Sequence, residues 1–106
     1  AARVDSAQRR VMNEAGSATV PWSTGHPVGY WAHDVGPGLN RRAQAPLREG
    51  QVFAFDGFFA WTLPGGDGTW GNLSKTISVE EMVVITADGA EFLTPPQEEL
   101  ILIPAA

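Results

Sequence analysis

The sequence predicts an α+β domain, with one N-terminal helix followed by four or five strands, mostly antiparallel. Three observations carry that expectation. Residues 2–15 contain no glycine or proline. Residues 16–50 contain six glycines and four prolines, which interrupt any long regular element. Beyond residue 50, apolar and β-branched residues recur with a period near two, the signature of half-buried strands.

The elements follow in order. The stretch "ARVDSAQRRVMNEA" is rich in strong helix formers and sets Val4, Ala7, Val11 and Ala15 about one turn apart, with Gly16 as the C-terminal stop. Residues 16–50 are expected to hold short strands joined by shaped loops. The segment "QVFAFDGFFAWTL" reads as a strand. Val52, Ala54, Asp56, Phe58 and Ala60 share one face, and Phe53, Phe55, Gly57, Phe59 and Trp61 the other. After the turn cluster "PGGDGTWGN", the run "KTISVEEMVVITADGAEFLT" reads as a hairpin about Asp88-Gly89. Alternation puts Ile77, Val79, Val83 and Ile85 on one face and Thr76, Ser78, Glu80 and Met82 on the other. A Pro-Pro turn then precedes a short apolar strand, Leu100 to Ile103. With no internal repeat and no low-complexity linker, residues 1–106 are expected to form a single domain.

Bulk composition narrows the function. A chain of 106 residues with 43% hydrophobic content can bury one core. Seven basic against twelve acidic residues give a net charge of -5, which argues against nucleic acid as a partner. The absence of cysteine excludes disulfides, thiolate zinc sites and a cysteine nucleophile, and leaves the compartment open. No apolar run approaches the roughly 18 residues of a membrane span. The N-terminal "AARVDSAQRR" lacks the apolar core of a signal peptide, so a soluble chain with no membrane partner is expected. Phosphate loops, GxSxG elbows and HExxH helices are absent.

The groups able to carry chemistry are few. "GHPVGYWAHD" holds the only two histidines, His26 and His33, seven residues apart. On a straight strand that odd spacing sends them to opposite faces, and they converge only if the chain bends, for which Gly29 is the candidate. The residues alone leave open whether they act as a pair or are structural histidines in an apolar setting beside Tyr30 and Trp31. Asp56 stands within a run, Gln51 to Trp61, in which six of eleven residues are aromatic or β-branched. A carboxylate there is either a strand-end residue at a turn made by Gly57, or one that is paired, hydrogen-bonded or metal-bound. In Glu80-Glu81 the two carboxylates point to opposite faces, Glu81 with Ile77 and Val79, Glu80 with Ser78 and Met82. A solvated edge strand accounts for them equally. The four tryptophans, Trp22, Trp31, Trp61 and Trp70, read mainly as core packing.

Three segments in register resemble the C-terminal half of the pita-bread-fold metallopeptidases, the family of methionine aminopeptidase, Xaa-Pro aminopeptidase and prolidase. "TGHPVGYWAHD" is similar to the family's GH-x-x-G with its V-H-E/D tail. "LREGQVFAFDGFF" is similar to L-x-x-G-M-V-F-T-I-E-P-G, and "ISVEEMVVITADGAEFLT" to I-R-I-E-D-T-V-L-V-T-E-D-G-x-E-x-L-T. The tail "PPQEELILIP" also resembles the Xaa-Pro-specific branch, as do the spacings of 7, 30 and 24 residues separating His26 from His33, His26 from Asp56, and Asp56 from Glu80. The resemblance implies half of a pita-bread fold. It also implies a metal-dependent exopeptidase in which two divalent ions, manganese, cobalt or zinc, activate a water against a peptide bond near a free N-terminus. In that arrangement His26 is a metal ligand, Asp56 takes the place of a metal-binding glutamate that helps deprotonate the water, and Glu80 is the bridging carboxylate. His33 would reach the substrate carbonyl. Hard carboxylates hold paired cations close, lowering the pKa of water and balancing charge in the transition state.

The sequence also departs from the family pattern. Asp56 is one methylene shorter than glutamate, Gly57 follows directly where the family has Pro-Gly, and Ser78 replaces an arginine. The family's catalytic domain is about double this length and takes two further metal-binding aspartates from its N-terminal half. Asp5, Asp34, Asp67 and Asp88 do not supply them. With three ligands, this chain is expected to hold at most one metal and, alone, to show little peptidase activity. Two readings remain: the C-terminal portion of a metallopeptidase acting on a peptide substrate with a missing N-terminal half, or a non-enzymatic half-domain that binds or assembles, as with a second copy of itself.

Overall fold

A computed structural model describes residues 1–67 and 74–105. Trp70 and part of the turn cluster lie outside them. Helix α1 spans Ala2–Glu14. Strands β1 (Gly25–Pro27), β2 (Val52–Thr62), β3 (Ser74–Ile85) and β4 (Ala90–Phe92) form one sheet in the order β1-β2-β3-β4, every pair antiparallel. This is an α+β architecture. No helix among the described residues is long and apolar enough to cross a membrane.

Helix α1 ends where the sequence places its stop. The amides of Gly16, at φ +94°, and Ser17 donate back to Asn13 and Met12. The Ser17 hydroxyl then accepts the Ala60 amide at 2.9 Å, and Ala18 N–H donates to the Ala60 carbonyl, so the segment leaving the helix is fastened to the end of β2. The apolar stripe on α1 is not its buried face. Val11 is 58% exposed, and the buried residue of the helix is Asp5.

The β2–β3 ladder runs the full length of β2, from Val52 opposite Val84 to Thr62 opposite Ser74. Its register sets Asp56 directly against Glu80 and Gly57 against Val79, as alternation from the flanking apolar residues requires. Phe53 and Ala54 are buried with Leu39 and Ala60. Val4 of α1, Leu39 and Leu47 of the connecting loop, and Phe55, Val83, Ile85 and Phe92 of the sheet line one apolar groove of about 440 Å³. The aromatic face of β2 is therefore the one that α1 and the 39–47 loop lie against.

One expectation changes, while the hairpin about Asp88-Gly89 forms. Residues 100–103 form no strand, and all four lie exposed. Their alternation-free apolar run specifies no face, so nothing in it selects a register. The hairpin loop is four residues long, 86–89, closed by Thr86 N–H on the Gly89 carbonyl, with Ile85 opposite Ala90. Glu81, the carboxylate on the apolar face, is satisfied from an unforeseen direction: its Oε1 accepts the Gln97 amide of the C-terminal tail at 2.8 Å.

Candidate metal centre

The site begins with a glycine. Gly25 and Leu39 form an isolated bridge, and Gly25 pairs with Phe55 across β1–β2. A side chain at position 25 would run into the Ala54 carbonyl oxygen, so only glycine lets β1 approach β2 this closely. The next residue, His26, pairs with Ala54 and so projects to the face shared by Asp56, two residues along the same strand. Glu80 comes from β3 opposite Asp56.

Three strands thus bring one imidazole and two carboxylates together. His26 Nε2 lies 3.5 Å from Glu80 Oε1 and 4.0 Å from Asp56 Oδ2. One ligand atom from each of the three residues falls within 4.8 Å of the others. His26 Nδ1 sits 3.2 Å from the Pro27 carbonyl, a contact that places its proton on Nδ1 and turns the Nε2 lone pair toward the carboxylates. Lone pairs of an imidazole and two carboxylates then face one point, which only a proton or a cation can occupy favourably. The Asp56 carboxyl reflects this. Burial and then the neighbouring Glu80 charge raise its pKa above the usual value, although His26 and His33 oppose the shift. One imidazole nitrogen and two hard carboxylate oxygens are a donor set suited to a divalent ion. The cluster opens outward, since the Glu80 side chain is 55% exposed.

The bend between the histidines does occur, though without a left-handed Gly29, which is not among the glycines with positive φ. Asp34 makes it. Its amide donates to the Pro27 carbonyl, and its carboxylate accepts the amides of Tyr30 and Val35 at 2.9 and 2.8 Å. A Cβ at position 29 would displace that carboxylate, so glycine there leaves room for the Asp34 bonds. The closed loop returns His33 over His26, the rings stacked at 3.8 Å between centroids and 16° between planes. His33 thus lies on the imidazole of the cluster, outside the group of three. The expected apolar setting is absent, because Tyr30 and Trp31 are 88% and 65% exposed and meet mainly each other, edge to face.

Behind the site stands a polar network that the sequence reading missed. Asp5, fully buried, accepts Arg9 Nε at 2.8 Å and the Thr24 hydroxyl at 2.7 Å. Arg9 also donates to the carbonyls of Val20 and Trp22. Burial alone would raise the Asp5 pKa, but the hydrogen bonds from Arg9 and Thr24 and the Arg9 charge outweigh it and hold the carboxyl below its ordinary value. The four-residue spacing of Asp5 and Arg9 was the available signal.

Residues 1–87, which include α1, β1 to β3 and all three members of the cluster, match the family model of metallopeptidase family M24. A search of curated proteins returns no match.

Proposed function

The chain belongs to metallopeptidase family M24, a family of metal-dependent peptidases that use divalent ions, and from that premise we propose that it is the C-terminal portion of an exopeptidase catalytic domain. Residues 1–106 constitute the single domain of that portion. The observation that carries this reading is the convergence of His26, Asp56 and Glu80, one ligand atom of each within 4.8 Å of the others.

In this reading His26 Nε2 and the carboxylates of Asp56 and Glu80 hold a divalent ion, manganese, cobalt or zinc. Such an ion supplies Lewis acidity toward a peptide carbonyl and makes nearby water more acidic. The contact of Nδ1 with the Pro27 carbonyl keeps the His26 ring oriented. Asp56, whose carboxyl pKa burial and the Glu80 charge raise above the usual value, would accept a proton from the attacking water, and it is the catalytic carboxylate. His33 is the second catalytic residue. Exposed and stacked on His26, its imidazole is free to donate a hydrogen bond to the substrate carbonyl oxygen as negative charge develops there. Three protein ligands suffice for one ion, so the two-metal site and efficient cleavage of an Xaa-Pro-like peptide near its free N-terminus require carboxylates from outside these residues.

A non-enzymatic reading has one observation in its favour. Trp61, Ile77 and Val79 form an apolar strip on the sheet, each 43–49% exposed, as would suit a half-domain that pairs with another half or with a second copy. Metal content separates the two. Calorimetric titration with Co²⁺ should give one site per chain, lost in His26→Ala and in Glu80→Ala. Binding that survives both substitutions refutes the ligand assignment. A chain that binds no Co²⁺ and purifies as a dimer favours the assembly role.

A further inference from the structure

Resting on the metal-site reading above, we propose that Gln8 of α1 is a positioning residue for the centre, holding the backbone of Asp56 at a rung that the sheet itself leaves half-made. Gly25 pairs with Phe55, so Thr24 stands opposite Asp56 one step beyond the end of β1. In an antiparallel ladder such residues either exchange both N–H···O bonds or neither. Here only one of the two is made. Asp56 N–H donates to the Thr24 carbonyl at 2.6 Å, but Thr24 N–H turns away to the Leu39 carbonyl at 2.8 Å. The Asp56 carbonyl would be left without its ladder donor, and Gln8 Nε2 supplies one at 2.6 Å. That amide lies over Gly57, 3.6 Å from where a Cβ on residue 57 would stand.

The reach of Gln8 is set by its neighbours on the same turn of helix. Asp5 and Arg9 flank it, and both are fastened to the 20–24 segment: Asp5 through the Thr24 hydroxyl, Arg9 through the Val20 and Trp22 carbonyls. Thr24 is two residues before His26, and the Asp56 carbonyl belongs to the cluster's own carboxylate residue. One turn of α1 therefore fixes both strands that carry the half-buried members of the centre. Partners bonded to a ligand's own side chain are worth about 10- to 100-fold in metal affinity, and a partner acting through the ligand's backbone belongs at the lower end of that range.

Gln8→Leu keeps the side chain's bulk and removes the donor. It should lower the Co²⁺ affinity of the chain about tenfold while the circular-dichroism spectrum stays native. Gln8→Lys, which restores a donor on a flexible arm, should recover most of that loss. Ser17→Ala, destabilising at a point remote from the cluster, should leave the affinity unchanged. If Gln8→Leu does not fold, Gln8→Glu serves in its place, because an ionised carboxylate cannot donate. A donor-lacking variant at position 8 that matches wild type in Co²⁺ affinity overturns the proposal. If wild type binds no Co²⁺, the metal-site reading falls, and NMR of the metal-free chain decides the positioning claim alone: the Asp56 and Gly57 backbone resonances must move in Gln8→Leu, and unmoved resonances overturn it.

Discussion

Asp5→Ala tests the polar network behind the centre. The carboxylate is fully buried and receives Arg9 Nε at 2.8 Å and the Thr24 hydroxyl at 2.7 Å. Removing one partner of a buried ion pair costs about 3–5 kcal/mol when the other charge stays buried and unpaired. Arg9 retains 24% exposure and two carbonyl acceptors, so its share falls well below that range. The Thr24 hydroxyl, at a residue 2% exposed, loses its acceptor, and an orphaned buried group costs about 1–3 kcal/mol. Together these give a loss of about 3 kcal/mol, a large part of the roughly 5–15 kcal/mol that stabilises a domain. In a thermal melt the midpoint should fall by roughly 10–20 °C. The pH dependence supplies a second arm. The folded-state pKa of Asp5 is depressed, so its stabilisation is complete above the ordinary carboxyl value of 3.8 and fades as pH falls through the lower folded value. The stability difference between wild type and Asp5→Ala should therefore shrink below that point. A loss under about 1 kcal/mol, the net worth of one ordinary hydrogen bond, or a difference that does not vary with pH, refutes the argument.

Three further substitutions test the scaffold. Gly25→Val forces a side chain into the Ala54 carbonyl and should cost about 1–3 kcal/mol by overpacking. By separating β1 from β2 it should also weaken Co²⁺ binding, and unaltered affinity would mean that the close approach does not place His26. Phe53→Ala, at a residue 2% exposed, should lose about 3–5 kcal/mol in urea denaturation, and a loss near 1 kcal/mol would show that Phe53 is not a core residue. Ser17→Ala leaves the Ala60 amide without its acceptor and should cost about 1–3 kcal/mol. Hydrogen exchange at that amide should accelerate relative to Phe53, and equal protection in both proteins would argue that another acceptor replaces Ser17.

What could be read from the sequence divides along a physical line. The opposition of Asp56 and Glu80 was implicit in two alternating runs, because a period of two fixes which residues share a face, and a slip of one residue would expose both apolar sets. The role of His26 came only with the resemblance of its segment to the family motif. The helix and its stop were legible in the residues themselves. The 100–103 run carried no alternation and so held no information about pairing, which is why the strand expected there is absent. The interactions that support the centre were hidden for a different reason. Gln8, Arg9 and Asp34 all engage backbone groups, and a backbone carbonyl or amide looks the same at every position of a sequence. Which carbonyl needs a donor depends on where a ladder stops. Here that is settled by Thr24 turning to Leu39 rather than back to Asp56. The candidate donor set of such a site is thus written in side-chain types and spacings, whereas the bonds that brace it fall on unpaired rungs that become apparent only once the strands are paired.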